Sequence, residues 1–384
     1  MKRNWEYKKL GDVCVSELGK TLNQSKDTGS LQPYLCAVNV QWDSLDFTTL
    51  KQARFEEDEL ERYSVQKNDL IVCEGGDVGR AAIWNQEKPM LYQNALHRLR
   101  FSNNCNPRFY LFCLKHLKNK GVLDGRYAKG VTIKHLVKSA LLSIQVPVPP
   151  LDEQSRIVAE LDLLTGIIDK QNAQLKELDN LAQAIFYDMF GDPIENPKGW
   201  EVKKLGDVCS VVNGLVNPNE EPFCNYPHIG GANIQSNTGV FVDVKLAKDE
   251  GLISGKYLFD ESMILYSKIR PNLNKVALPS FKGICSADMY PLITNTDVAN
   301  KYYIKFSITH KKFIEYAVSH SGRANIPKIN RDALLAYDLP LPPLAFQQSF
   351  AEKIQSIEKQ KEAIRASIAD TQKLLDYTMD KYFG

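Results

Sequence analysis

Two stretches of the chain place apolar residues at alternating steps of three and four, which is the spacing of a coiled-coil seam. The seam of the first stretch consists of Ile157, Leu161, Leu164, Ile168, Leu175, Leu178, Ile185 and Met189, with Gln171 and Ala182 completing the pattern. The seam of the second stretch consists of Phe346, Phe350, Ile354, Ile357, Lys361, Ile364, Ile368, Thr371, Leu375, Thr378 and Tyr382. Each pattern predicts one long amphipathic helix whose apolar stripe needs a partner in water.

The sequence also indicates where these helices begin and end. Each seam follows a Pro-Pro-Leu segment, and Gly191 and Gly384 come two residues after the last seam residues, where helix-terminating glycines are common. A first helix from Asp152 to Met189 has 38 residues, or about 57 Å at ~1.5 Å per residue. We expect the two helices to pair antiparallel, with Gln171 and Lys361 helping to set the register. Docking of each helix on its own globular domain, or pairing between two chains, is the alternative.

The segments outside the seams predict short strands, turns and a few helices, and hence an α+β fold class. The predicted strands are Asp69–Cys73 and Arg80–Trp84 around a glycine turn, and Met263–Tyr266 and Val276–Leu278 around a turn rich in Lys, Arg and Asn. Asn106-Pro107 predicts the start of a helix that ends near Lys120. Its counterpart is expected to span about Val298 to Ser319.

The chain repeats itself. WEYKKLGDVC at residue 5 recurs as WEVKKLGDVC at residue 200, an offset of 195, and VPVPPL at residue 146 recurs as LPLPPL at residue 339, an offset of 193. Such a long period indicates domain duplication and not a solenoid. We therefore predict globular domains at residues 1–150 and 191–343, separated by the long helices at residues 151–190 and 344–384, with an internal pseudo-twofold.

Composition adds the broad class. The chain has 384 residues, of which 43% are hydrophobic and 24% charged, as in ordinary globular proteins. No apolar run approaches the ~18 residues of a membrane span, and the first residues do not resemble a signal peptide. Eight cysteines show no C-x-x-C pair, which predicts reduced thiols in a cytoplasmic protein.

Basic residues are concentrated in two corresponding segments. Residues 97–138 contain ten Lys or Arg against a single acid, Asp124, and residues 264–331 contain eleven against three acids. The first helix is acidic instead, with eight Asp or Glu against three Lys or Arg in residues 151–190. Two basic surpluses at equivalent places of a repeat favour binding of nucleic acid over a solvated surface balanced by acids elsewhere.

Motifs of catalysis are missing from the sequence. It contains no G-x-G-x-x-G, no P-loop and no H-E-x-x-H pattern, and its six histidines do not fall at metal-ligand spacing. We therefore predict no catalytic residues and no metal site, and a binding protein in place of an enzyme.

The whole chain resembles the specificity subunit of type I restriction–modification enzymes. The resemblance rests on the paired starts WEYKKLGDV and WEVKKLGDV and on PVPPLDEQ (147–154) and PLPPLAFQ (340–347), each leading into a long helix. The segments 75–80 and 321–328 also look like family features. The second copy departs from the first in having Ala345-Phe346 where the first has Asp152-Glu153.

The resemblance implies that each globular domain is a target recognition domain for one half of a split sequence in double-stranded DNA. It also implies that the helix pair sets the unread gap and docks two modification (methyltransferase) subunits, which restriction (translocase–nuclease) subunits join. On this view the chain serves DNA methylation and antiviral defence, and S-adenosylmethionine, ATP and magnesium belong to the partners and not to this chain.

Loop residues able to make bidentate or amide contacts are the candidates for base recognition. They are Arg80, Arg126, Lys268, Arg270, Asn272, Lys275, Arg323 and Asn325, with Asn39 and Asn233 as second-rank candidates at matching places in the repeat. Lys129, Lys134 and Lys328 are expected to contact phosphates. Two other functions stay open at this point: a coiled-coil adaptor that scaffolds a protein complex without touching DNA, and a stand-alone methyltransferase or nuclease.

Overall fold

The chain folds as two compact units, each made of one globular module and one half of each long helix. The computed structural model describes residues 5–23, 25, 27–130, 134–322 and 326–384. Unit 1 comprises Met1–Asn172 with Ala366–Gly384, and unit 2 comprises Ala173–Arg365. Both units mix strands and helices, so the α+β fold class is confirmed.

Short strands dominate the module of unit 1. The described strands are β1 (Tyr7–Lys9), β2 (Cys14–Leu18), β3 (Ser30–Leu35), β4 (Val40–Gln41), β5 (Ser44–Leu45), β6 (Lys51–Phe55), β7 (Ser64–Val65), β8 (Leu70–Cys73), β9 (Ala81–Ile83), β10 (Met90–Tyr92), β11 (Leu96–Phe101) and β12 (Gln145–Pro147). The helices are α1 (Glu57–Arg62), α2 (Pro107–Asn119), α3 (Lys138–Leu142) and the start of α4 (Leu151–Phe190).

The module of unit 2 repeats this plan. Its described strands are β13 (Glu201–Lys204), β14 (Cys209–Val211), β15 (Pro227–Ile229), β16 (Lys245–Leu246), β17 (Tyr257–Phe259), β18 (Ile264–Ser267), β19 (Val276–Ala277), β20 (Gly283–Cys285), β21 (Met289–Thr294), β22 (Ser321–Gly322), β23 (Lys328–Ile329) and β24 (Asp338–Leu341). Its helices are α5 (Leu205–Val208), α6 (Lys301–Thr309), α7 (Lys311–Ser319), α8 (Arg331–Leu335) and the start of α9 (Leu344–Phe383).

The two modules share one sheet topology. Unit 1 has four-stranded sheets in the orders β2-β11-β8-β9 and β6-β3-β10-β7, and unit 2 has the orders β14-β21-β18-β19 and β16-β15-β20-β17. In each module a single pair, β3 with β10 or β15 with β20, is parallel within these sheets. Sequence duplication therefore corresponds to duplication of the fold.

The repeated sequence motifs pair with each other inside each unit. Strand β1 lies in the WEYKK motif and pairs antiparallel with β12 in the VPVPP motif, with Tyr7 opposite Pro147. Strand β13 pairs with β24 in the same way, with Glu201 opposite Leu341. The start of each module is thus fixed to the strand that leads into its long helix.

One buried glutamine in each unit joins the long helix to the module. The amide of Gln154 accepts a hydrogen bond from the Asn106 backbone N–H (2.8 Å) and donates one to the Pro149 carbonyl (2.8 Å). Gln347 makes the equivalent bonds to Asn300 (2.9 Å) and Pro342 (2.7 Å). Because each asparagine also caps a helix, the glutamine ties the start of the long helix to the helix packed beside it.

The long helices pair antiparallel in both units, as their seams predict. In unit 1, Arg156 lies 3.4 Å from the hydroxyl of Tyr382, and Gln171 donates to Ser367 at 2.7 Å. Partner numbers therefore fall as residue numbers rise along α4. In unit 2, Phe186 packs against Phe350, and Asp179 pairs with Lys361, so the same antiparallel order continues.

One predicted helix is divided in two. The segment expected as a single helix from Val298 to Ser319 forms α6 and α7, which are separated at His310. This residue has an extended backbone (ψ 148°), and its Nδ1 accepts a hydrogen bond from the Lys312 backbone N–H at 3.2 Å. His310 thereby caps α7, and its Nε2 is bonded to the Tyr187 hydroxyl at 2.7 Å, which anchors the break to α4.

None of the helices in the described part of the chain combines the length and the apolar character that crossing a membrane requires.

Candidate nucleic-acid interface

Two loop segments meet at the end of a buried central strand in each unit. In unit 1 the turn after β8 meets the segment between α2 and α3: Gly75 bridges to His135, and the Leu136 N–H donates to the Glu74 carbonyl at 2.7 Å. In unit 2 the turn after β18 meets the β22–β23 hairpin, and Ile269 bridges to Lys328. Segments that are far apart in the sequence are thereby brought together at this end of each module.

In unit 1 the predicted cations divide into exposed and inward-facing groups. Arg126 and Lys129 are exposed. Lys134 donates its ammonium to the Asp124 carbonyl at 2.8 Å, and Arg80 donates Nη2 to the Ala37 carbonyl at 2.6 Å. Arg126 and Lys129 therefore remain available to a polyanion, whereas Arg80 and Lys134 help to hold the surface together.

An ion network holds the two loop segments of unit 1 in place. The ammonium of Lys118 lies 2.7 Å from Asp77 in the turn and 3.0 Å from Asp124 in the other segment. Burial lowers the pKa of Lys118, but its hydrogen bonds to both carboxylates outweigh that effect, and the pKa is raised. The Trp42 indole N–H also donates to Asp77, at 3.2 Å. The segment that presents Arg126 is thus braced from α2.

A buried histidine lies under the same surface. His97 on β11 is fully buried, and its Nε2 lies 3.2 Å from the Leu136 carbonyl and 3.3 Å from Glu74. Burial lowers the pKa of His97 to about 4, although the bond to the Leu136 carbonyl opposes the shift. The imidazole is therefore neutral at pH 7 and serves as a hydrogen-bonding support. The spacing of the histidines gave no reason to single out His97. Its position at the start of the basic segment 97–138 was the one signal in the sequence.

In unit 2 most of the predicted cations are also engaged. Lys268 is buried, donates its ammonium to the Ala287 carbonyl and lies 3.9 Å from Asp288. Its burial lowers its pKa. Lys275 donates to the Gly231 carbonyl at 2.6 Å, and Lys328 lies 3.8 Å from Asp288. These three lysines stabilise the surface from inside, and Asp288, which sequence reasoning missed, compensates two of them.

Arg270 and Asn272 have a different environment. Both are exposed, and within the described residues no hydrogen bond or ion pair involves either side chain. Arg270 lines a cavity of about 310 Å³ together with Ser267, Ser286 and Asp288. These two residues are the exposed polar tips of the unit 2 turn.

The two asparagine candidates are structural residues. Asn39 is fully buried: its Oδ1 accepts from the Cys36 N–H (2.9 Å), and its Nδ2 donates to the Asp46 carbonyl (2.9 Å). In unit 2, Asn233 accepts from the Gly230 N–H (2.9 Å) and donates to the Asp243 carbonyl (3.1 Å). The prediction of a base contact by Asn39 is therefore corrected, because its amide is saturated inside the module. Arg323 and Asn325 lie outside the described residues.

Comparison with known proteins agrees with this duplicated architecture. A family model described as the type I restriction modification DNA specificity domain matches residues 2–180 and again residues 197–370. The EcoDI specificity subunit of Escherichia coli is 27% identical over 263 residues, which cover 60% of this chain and 58% of that subunit. The putative MjaX specificity subunit of Methanocaldococcus jannaschii is 23% identical over 386 residues, covering 92% of this chain and 87% of the relative.

A solved structure supports the fold. The crystal structure of the type I restriction–modification S subunit from M. genitalium superposes with a TM-score of 0.59 at 14% sequence identity, over 100% of this chain and 97% of that one. At this identity the likeness concerns the fold alone. Because the family model matches both halves and most of the length, the chain belongs to the type I restriction–modification DNA specificity family.

Proposed function

We propose that this chain is the DNA-recognition subunit of a type I restriction–modification complex, in which each unit recognises one half of a bipartite target. The observation that carries the proposal is the duplicated surface at the ends of β8 and β18. In both units two loop segments meet there, and exposed cations lie on them: Arg126 and Lys129 in unit 1, Arg270 in unit 2. Exposed cations supply affinity for phosphates, and arginines can also recognise base edges.

The helix pair has the dimensions that a spacer between half-sites requires. Helix α4 has 40 residues, about 60 Å at ~1.5 Å per residue, which exceeds the ~34 Å of one duplex turn. We propose that the pair fixes the length of the unread gap between the half-sites.

An exposed apolar strip in unit 1 suits docking of a methyltransferase subunit. Leu163 and Ile167 on α4 and Leu374 and Tyr377 on α9 are exposed, Leu163 at 66% and Tyr377 at 68%. An ion pair between Glu160 and Lys381 (3.8 Å) crosses from helix to helix on this side, within one helical turn of Leu163 and Tyr377. Adjacent exposed apolar side chains of this size are typical of protein interfaces.

In the proposed complex the chain contributes recognition and no catalysis. S-adenosylmethionine, ATP and magnesium would be bound by the modification and restriction subunits, and the complex would act on DNA in the cytoplasm.

Sequencing of methylated bases in the host genome, with and without this gene, tests the proposal. The expected result is loss of a modified motif that consists of two short half-sites around a fixed gap. An unchanged methylome would contradict the proposal when transcripts of the modification subunit are present. Binding of the purified chain to duplex DNA at increasing salt would then identify an adaptor, because phosphate-driven binding weakens steeply with salt whereas apolar docking does not.

A further inference from the structure

The turns after β8 and β18 occupy equivalent places but differ in their left-handed residues. In unit 1 these positions are glycines, Gly76 (φ 75°) and Gly79 (φ 80°), which adopt this conformation at no steric cost. In unit 2 they are Arg270 (φ 49°) and Asn274 (φ 47°). A residue with a Cβ is strained in this region, and asparagine tolerates it far better than arginine does. The preference of each residue type for this backbone conformation therefore accounts for the glycines and for Asn274, but not for Arg270.

The side chain of Asn274 has contacts that account for its place, whereas the side chain of Arg270 has none within the described part of the chain. The Asn274 carbonyl accepts from the Asn237 N–H at 3.1 Å, and its side-chain amide donates to the Thr309 carbonyl at 3.3 Å. The Arg270 side chain, by contrast, is exposed and makes no hydrogen bond or ion pair among the residues described. Strain at a residue whose side chain has no partner among the described residues points to a functional contact with something outside the chain.

The backbone around Arg270 is held firmly. Its N–H donates to the Pro327 carbonyl at 2.7 Å, and its carbonyl accepts from the Leu273 N–H at 2.8 Å. Pro271 follows and restricts the backbone further. The direction of the Cα–Cβ bond is thus fixed. Base recognition benefits from such a fixed direction, because the paired hydrogen bonds to a base edge require a defined geometry.

The chemistry of the exposed group suggests its target. A guanidinium offers two parallel N–H donors, and guanine presents two adjacent acceptors, O6 and N7, in the major groove. The neighbouring lysines at positions 268 and 275 are bonded to carbonyls, so Arg270 is the exposed cation of this turn. We propose that Arg270 recognises a guanine in the half-site of unit 2; this inference rests on the proposed function and adds the base that one residue selects.

Two variants separate base recognition from folding and from charge. Arg270→Gly removes the side chain and relieves the left-handed strain, so the fold should be at least as stable as before. Arg270→Lys keeps the charge but loses the paired donors. Lys282→Ala is the matched control, because Lys282 is also exposed in unit 2. It lies before the start of β20, whereas Ser286 and Asp288, which line the cavity beside Arg270, follow the end of that strand.

The experiment selects bound duplexes from a library with randomised half-sites, using the full chain co-expressed with its modification subunit, and sequences them. The unmodified chain should enrich a split motif; failure to do so would overturn the proposed function itself. Given that motif, Arg270→Gly and Arg270→Lys should lower the preference for guanine at one position of one half-site by about tenfold to a hundredfold. The other half-site and the Lys282→Ala selection should match the unmodified chain.

Two results would overturn the inference while leaving the proposed function intact. One is an Arg270→Gly selection with the same preference at every position. The other is a uniform loss of affinity for all sequences together with full retention of the motif by Arg270→Lys, because that combination identifies a phosphate contact.

Discussion

The ammonium of Lys361 lies 2.6 Å from Oδ1 of Asp179 across the helix pair of unit 2. Lys361 occupies a seam position, and its side chain is only 4% exposed. Its second partner is Glu358 at 2.8 Å on the same helix. A polar group at a seam position favours one register over others, at some expense of stability, because a wrong register would leave the charge buried and unpaired.

Replacement of Lys361 and removal of its partner Asp179 should therefore change the free energy of unfolding differently. For Lys361→Met we expect an unchanged or higher free energy of unfolding, since buried ion pairs are often no better than apolar packing. For Asp179→Ala we expect a loss of about 1–3 kcal/mol, because the buried ammonium keeps only Glu358. Urea denaturation followed by circular dichroism measures both. Lys373→Met is the control: Lys373 pairs with Asp370 in the same helix with both side chains 77% exposed, and its change should stay within about 0.5 kcal/mol.

Asn39 should matter for stability and not for recognition. Asn39→Ala leaves the buried Cys36 N–H and the Asp46 carbonyl without their partner, so we expect a loss of about 2–3 kcal/mol in the unfolding free energy of unit 1. Asn233→Ala removes equivalent bonds from a half-buried site, where water can replace them, and should be milder. Selection of DNA by the folded Asn39→Ala chain checks the second part, and any altered base preference would contradict the structural role.

Elements that depend on the periodicity of apolar residues could be predicted from the sequence. The availability of a candidate side chain could not, because it depends on which backbone carbonyls lie beside it in the folded chain. The long helices follow from the seam spacing, and α2 begins at Pro107 after the Asn106 cap, as predicted. Arg80 and Arg270 were equivalent candidates in the sequence. The structure separates them because the Ala37 carbonyl accepts from Arg80, and the sequence gives no indication that this acceptor, 43 residues away, lies beside it.

The pairing of strands that are far apart in the sequence could not be predicted either. The WEYKK and VPVPP motifs were recognised as repeats, but nothing in either segment indicates that Lys8 pairs with Val146. The break at His310 was missed because the histidine interrupts no apolar periodicity, and its capping bond to the Lys312 N–H is a property of the folded turn.

Lys129 should contribute affinity without sequence information. It is exposed, and its backbone exchanges two hydrogen bonds with that of His135. The Lys129 N–H donates to the His135 carbonyl at 2.9 Å, and the His135 N–H donates to the Lys129 carbonyl at 2.8 Å. If its ammonium binds a phosphate, Lys129→Ala should reduce the slope of log K against log salt by about 0.9 and leave base preference unchanged. The measurement is a salt titration of duplex binding. Lys67→Ala is the control, because Lys67 lies before the start of β8, whereas the candidate surface lies at the end of that strand. An equal effect from both variants would show that the charge acts only at long range.

The apolar strip of unit 1 should govern association with the methyltransferase subunit. Leu163→Glu places a charge in the middle of the strip but disturbs no core packing, because Leu163 is exposed. We expect association to weaken by at least tenfold, since an unpaired buried carboxylate costs more than about 1.4 kcal/mol. Asn172→Glu adds the same charge to an exposed position of the same helix outside the strip and should have little effect. Co-purification and titration calorimetry measure the difference; equal weakening by both variants would place the contact elsewhere.

Acid should destabilise unit 1 through His97. Burial lowers the pKa of this histidine to about 4 in the folded chain, whereas an unfolded histidine titrates near 6.5. The unfolded state therefore binds the proton more tightly, and stability that is complete above pH 6.5 declines as the pH falls toward 4. The neighbouring charges are Glu74, at 3.3 Å, and Lys138, whose charge also lowers the pKa.

The test compares the unmodified chain with His97→Gln by urea denaturation, following tryptophan fluorescence, to which Trp84, buried in unit 1, contributes. The stability advantage of the unmodified chain should shrink by roughly 2–3 kcal/mol between pH 7.5 and pH 4.5, because only the histidine gains a proton on unfolding. His320→Gln replaces an exposed histidine of unit 2 and should leave the unit 1 transition unchanged at every pH. A constant difference between His97→Gln and the unmodified chain would mean that Glu74 compensates the burial of the imidazolium, and the histidine would then be no pH-dependent element of the recognition surface.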